Sequence, residues 1–158
     1  MRAATINEIK KELESLQPGA AEALCLRLAR FKKENKELLT YLLFEAHNEQ
    51  DYVEQVKRET TEEFQAIPNL NLYYAKKSLR RILRMVNKQI RYSGLPNTEI
   101  DLRIHFCHEL KKSEIRMDKS PVLMNLYQQQ LKKIQQTLKK LDEDLQDDYQ
   151  AEIKSLKL

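Results

Sequence analysis

The sequence predicts an all-α fold of roughly seven helices, and three observations carry that expectation. Turn formers are scarce, with two glycines and four prolines in 158 residues, too few to punctuate a many-stranded sheet. Leu, Lys, Glu, Gln and Arg, all good helix formers, dominate the composition. Apolar residues recur three and four apart along most of the chain, the spacing that lines one face of a helix. A hydrophobic share of 41% suffices for a core, and a charged share of 33% suits helices with one wet side.

Thr5 followed by Glu8 is a capping-box signature, and Ile6, Ile9, Leu13 and Leu16 form the stripe of a first helix. Gln17-Pro18-Gly19 stops it, because proline lacks a donor and glycine accepts a positive φ. The next segment runs from Ala20 to Phe31 with Leu24, Leu28 and Phe31 inward; Asn35 can close it or cap a following helix, and one helix to His47 is an alternative. Leu38, Leu39, Tyr41, Leu42, Leu43 and Phe44 are apolar almost all round the wheel, which predicts a helix at the centre of the core. A polar helix follows from Glu49 to Ala66, its stripe Tyr52, Val53, Val56 and Phe64, its outer positions including Glu54, Glu59, Glu62 and Glu63. Pro68-Asn69 ends it.

Leu70 to Gly94 is the most informative stretch. At about 100° per residue, Leu72, Ala75, Leu79, Ile82, Leu83, Val86 and Ile90 share one stripe. Lys76, Lys77, Arg80, Arg81, Arg84, Lys88 and Arg91 fall within an arc of roughly 140° on the other side. No Asp or Glu occurs between Gln65 and Thr98, so the basic face is uninterrupted. These seven cations within a net charge of +4 leave the rest of the chain acidic by three.

Gly94 with Pro96 beyond it ends that helix, and Asn97 or Thr98 caps another to about Ile115, carrying Ile100, Leu102, Ile104, Phe106, Cys107 and Leu110. Arg116 to Lys119 reads as a loop. Ser120 as cap and Pro121 at the first helical position start the last long element, through Leu123, Leu126, Tyr127, Leu131, Ile134, Leu138, Leu141 and Leu145. The spacing 3-4-3-4 from Leu131 to Leu145 is a short heptad run, a candidate surface for homo-oligomer formation through this C-terminal helix. Asp142, Glu143, Asp144, Asp147 and Asp148 follow, with Tyr149, Ile153 and Leu156 beyond. The chain thus reads as a single domain, 1–158, with 142–158 as a candidate separate or frayed helix.

Two architectures accommodate this order: a closed helical bundle, or an α-α superhelix of helices stacked in antiparallel pairs. Helix lengths, short links and the paired rhythm resemble the α-α superhelix of HEAT-like helical-repeat proteins, which implies a stack with a binding face. The resemblance is architectural. No fixed-period residue signature accompanies it, and the chain has no tryptophan, so the tetratricopeptide pattern is missing.

The functional expectation is a non-enzymatic, macromolecule-binding protein using Lys77, Arg80, Arg81, Arg84, Lys88 and Arg91. An acidic protein surface is the first partner, and nucleic acid or phosphate is the alternative, with Tyr73 in the same arc to stack. The bland reading is that this face is solvated, or paired with Glu54 to Glu63 or with the acidic tail. A different class of function, a metal-dependent enzyme, is suggested by Asp101, His105 and His108, which at i, i+4 and i+7 share a helix face near Glu109. That spacing departs from the HExxH of zinc proteases. Gly19 and Gly94 make no phosphate-cradling loop and no serine sits in a nucleophile elbow, so no cofactor is expected. Cys25 and Cys107 are far apart and read as free thiols; with no apolar signal core in MRAATINEIKKEL and no run of about 20 apolar residues, a cytoplasmic location off the membrane is expected.

Overall fold

Local signals place most of the helix ends. The computed structural model of the chain describes residues 1–68 and 71–157, and among these it contains eight α-helices and no strand. They are α1 (Ile6–Glu14), α2 (Ala20–Phe31), α3 (Lys33–Thr40), α4 (Glu49–Gln65), α5 (Leu72–Ser93), α6 (Pro96–Lys112), α7 (Pro121–Leu138) and α8 (Glu143–Leu156). A π-helical turn covers Tyr41–Glu45 and a 3-10 turn covers Met117–Lys119. The all-α expectation holds. Asn69 and Leu70, which the sequence assigns to the link before α5, lie outside the described residues.

Thr5 caps α1 in a complete capping box, with Glu8 held well below the usual carboxylate range by the Thr5 backbone and hydroxyl. Ser120 caps α7 with Pro121 in the first turn. Gly94 closes α5 at φ 69°, and its N–H donates to the Ile90 carbonyl at 2.9 Å. Neither Asn97 nor Thr98 caps α6, however: the helix starts at Pro96 with Leu95 ahead of it, because proline at the first position already supplies the helical φ.

By contacts the chain divides into two compact units, Met1–Phe44 and Glu45–Leu158. In the first, α2 and α3 pack together as a hairpin broken at Lys32, which is extended at φ −147° and ψ 139°; the single helix to His47 does not form. Asn35 closes the hairpin, its side-chain amide donating to the Leu28 carbonyl at 2.9 Å. None of the side chains of α1, α2 or α3 is buried. At 38–44 Tyr41 alone is buried, at 5% exposure, so the expectation that this segment forms the centre of the core is overturned. Leu42, Leu43 and Phe44 are 56%, 62% and 64% exposed. An all-apolar wheel demands neighbours on every side, and a hairpin of 12- and 8-residue helices supplies a neighbour on one.

The second unit is organised around α6, which packs against α4, α5, α7 and α8. Its apolar residues fall on every side, and Ile100, Leu102, Ile104, Phe106, Cys107 and Leu110 are all buried as expected. Side-chain pairs show the helix directions. Tyr52, early in α4, donates to Gln89, late in α5, so these two are antiparallel. Thr98 donates to Glu49 at one end of α6 while His105 meets Thr61 further along, so α6 runs parallel to α4. Arg103 reaches Gln130 of α7, Lys111 reaches the Ser155 carbonyl of α8, and Tyr127, early in α7, donates to the Leu156 carbonyl at the end of α8. Helices α4, α6 and α8 thus run one way, with α5 and α7 reversed between them. That alternation is common to a stack of antiparallel pairs and to a closed bundle, the two architectures the sequence accommodates.

The heptad run from Leu131 to Leu145 does not lie on one helix. Helix α7 ends at Leu138 and α8 starts at Glu143, with Leu145 38% exposed beyond the break. Its register is interrupted midway, and Leu138 is committed to the core of its own unit.

Candidate functional site

Helix α5 presents the site. Ala75, Leu79, Ile82 and Val86 are fully buried and Ile90 nearly so, as the stripe requires, and Leu72 and Leu83 border them half-buried. Burial of this stripe fixes which side of the helix faces solvent. Each large aliphatic side chain so buried contributes about 1.5–3 kcal/mol relative to exposure, which outweighs any preference of the opposite charged side. The basic face is consequently turned outward.

Lys77, Arg80, Arg81, Arg84 and Arg91 are exposed, and Lys88 is half-buried with an interaction of its own. Arg81 forms an ion pair with Glu63 of α4 at 2.7 Å, both side chains remaining substantially exposed. Such a pair contributes only ~0–1 kcal/mol. It joins α5 to the acidic side of α4, where Glu49 and, on α5, Lys88 also have interactions of their own. Glu54 pairs with Lys57 of its own helix, and Glu59 accepts from Gln55. None of the acidic residues of α8 forms an ion pair with α5 among the described residues. Lys77, Arg80, Arg84 and Arg91 have no partner there.

These four cations occupy an arc of about 60° directly opposite the buried stripe, at about 100° per residue. From Lys77 to Arg91 the row extends about 21 Å. Tyr73 continues it by one turn, 74% exposed, its ring edge-on to Tyr74 with centroids 5.2 Å apart. The row can hold a run of anionic groups along one straight line.

The metal candidate is not assembled. Tyr149 of α8 hydrogen-bonds Asp101, whose carboxyl is raised above its ordinary range by burial against the opposing pull of Lys57. His105 lies with Nε2 3.0 Å from the Lys57 carbonyl and 2.9 Å from the Thr61 hydroxyl. A carbonyl only accepts, so Nε2 carries the proton and donates; it presents no lone pair to a cation. Burial also holds the imidazole below its usual pKa. His108 is half-buried with no partner among the described residues. Among those residues no three His, Cys, Asp or Glu side chains are grouped to hold a metal ion.

Two features escaped the sequence. Arg103 is 5% exposed, its guanidinium held by Glu99 at 2.8 Å, Asn87 at 2.9 Å and Gln130 at 2.8 Å. This one side chain joins α5, α6 and α7. Its burial is readable in retrospect, since apolar residues surround position 103 on all sides of α6. The other is a cleft of about 480 Å³ lined by Glu49, Val53, Pro96, Thr98, Asp101 and Tyr149. Both of its carboxylates are engaged internally, Glu49 by the Ser93 and Thr98 hydroxyls and Asp101 by Tyr149. No sequence signal announces it, because its residues come from three helices.

No protein-family model matches the chain, and neither a curated protein nor a solved structure matches it. No described helix is long and apolar enough to cross a membrane.

Proposed function

We propose that the protein is a non-enzymatic binding module that holds an acidic protein surface along the exposed face of α5. One observation carries this reading: Lys77, Arg80, Arg84 and Arg91 stand in a single row, exposed and without partners among the described residues, opposite a fully buried stripe. Their spacing of three, four and seven residues follows the seam of a straight helix, so a partner helix with carboxylates on one side meets each cation in turn. Arg81 and Lys88 flank the row.

Tyr73, exposed at its end, favours a second reading in which the same row tracks a phosphate backbone and the ring stacks on a base. Anisotropy titrations of the full chain against an acidic helical peptide and against random-sequence DNA separate the two. For the first reading, the acidic peptide binds and Lys77→Glu/Arg80→Glu/Arg84→Glu abolishes that binding. A tighter DNA complex, with log K falling against log salt at a slope of about −3.6 for four phosphate contacts, establishes the second. The charge reversals lie on an exposed surface, so the unfolding free energy of the variant stays near that of wild type, within about 0.5 kcal/mol for each substitution. A large loss of stability, or unchanged binding of both probes, refutes the use of this face.

A further inference from the structure

Apolar surface is distributed very unevenly. Helices α2 and α3 carry Leu24, Leu26, Leu28, Phe31 and Leu38 at 37% exposure or more, with Leu42 in the turn after them. The hairpin has two grooves of different character. One, about 570 Å³, is lined by Leu26, Leu43 and Phe44 together with three cations, Arg30, Lys33 and Lys36. The other, about 200 Å³, is lined by Cys25, Leu28, Asn35, Leu38, Leu39 and Leu42, with no charged residue among them. At about 100° per residue, Leu24 and Phe31 lie beside Leu28 and widen this uncharged face along α2.

We propose that the uncharged face of the α2–α3 hairpin is a self-association surface, on which two copies of the chain pack their hairpins into a four-helix bundle. Charge selects the face and the occupant together. A two-fold axis brings each residue of a face near the same face of the partner. Across the cationic groove a second copy would oppose Arg30, Lys33 and Lys36 to their own equivalents. Across the uncharged groove it meets only Leu, Cys and Ala, together with Asn35, whose amide is already engaged by Leu28. A charged partner gains nothing there, whereas an identical apolar face does.

The area agrees. Leu24, Leu28, Phe31, Leu38 and Leu42, at 43%, 58%, 83%, 37% and 56% exposure, present roughly 500 Å² of apolar surface, taking on the order of 180 Å² for a large apolar residue. A standard interface covers ~800 Å² per partner, ~65% of it apolar in homodimers. That fraction is close to what the face offers. Two hairpins also provide the second layer of helices that one hairpin lacks.

The full chain itself supplies the reporter. Cys25 lies in the proposed interface and is exposed, whereas Cys107 is fully buried with its thiol pushed up to about 12, beyond the reach of maleimides. Sedimentation of the wild-type chain over a concentration series is expected to reach twice the monomer mass. A short bis-maleimide is expected to join two chains through Cys25, with the product lost in Cys25→Ser. Leu28→Glu/Leu42→Glu is expected to sediment as a monomer with unchanged melting of residues 45–158, whereas Arg30→Glu/Lys36→Glu on the opposite groove leaves the dimer intact. A wild-type chain that stays monomeric without cross-linking, a dimer that survives Leu28→Glu/Leu42→Glu, or one lost only in Arg30→Glu/Lys36→Glu overturns the proposal. The cross-link in the unmodified chain decides the matter even if the double-glutamate variant loses helicity.

Discussion

Residues 1–44 and 45–158 are written in the same sequence language and end up differently. Both contain capped amphipathic helices with apolar residues at helical spacing. In the larger unit those residues are sealed: Ala75, Leu79, Ile82, Val86, Ile100, Phe106, Leu123 and Ile134 show no exposed surface. In the smaller one Ile6, Phe31, Leu42, Leu43 and Phe44 are each more than half exposed. The difference is one of neighbours. Helix α6 is surrounded by four others, while α3 has α2. An amphipathic stripe states that a helix needs a covering surface; it does not say that the same stretch of chain provides one.

The strongest way to sharpen this comparison is at Arg103. Arg103→Ala removes the bridge between α5, α6 and α7 and leaves Glu99, Asn87 and Gln130 facing a void. The expected cost is about 3–5 kcal/mol, read as a loss of stability in urea denaturation followed by circular dichroism. A change under 1 kcal/mol, roughly the scale of an exposed ion pair, would mean the larger unit does not depend on this node.

A paired substitution tests the contrast directly. Leu79→Ala, at a fully buried site, is expected to destabilise by about 2–5 kcal/mol. Leu43→Ala, 62% exposed, is expected to stay within about 0.5 kcal/mol. Equal costs at the two leucines would erase the distinction between the units.

The smallest effect concerns Asp101, whose carboxyl is raised by burial. In the window between the ordinary carboxylate pKa of 3.8 and the raised native one, the native chain holds a proton that the unfolded chain has released. Stability therefore falls as pH rises through that window, above which the native state bears a poorly solvated charge. Asp101→Asn keeps an oxygen to accept from Tyr149 and carries no charge. The variant is expected to melt slightly above wild type at pH 7, with the gap closing on acidification below the ordinary carboxylate range. A variant less stable than wild type at pH 7 would show that the attraction of Lys57 outweighs the burial.

Much of the helical layout was legible beforehand. The Thr5 capping box, the Ser120-Pro121 start, the Gly94 stop and the apolar spacing of α5 are all local features within four residues, which a sequence displays. What misled was the same local reasoning extended to partners. The 38–44 segment has the composition of a core helix and buries Tyr41 alone, and the 131–145 heptad spacing continues across a break at residues 139–142. Of the candidate site, the cationic row was readable as periodicity, but its freedom from Glu63, except at Arg81, was not. Asp101, His105 and His108 share spacing without shared aim, because α4 and α8 draw the first two to different partners.

Sequence alone determined that this chain is helical, where most helices begin and end, and which face of each is apolar or charged, since backbone hydrogen bonds four residues apart and side-chain periodicity set these properties. Tertiary structure alone decided that α6 becomes the hub, that Arg103 is buried in a polar node, and that four cations of α5 stay open while Leu42 and Leu43, in the turn after α3, go uncovered. Those outcomes depend on contacts between residues tens of positions apart, whose formation turns on how many neighbours each helix finds when the chain folds.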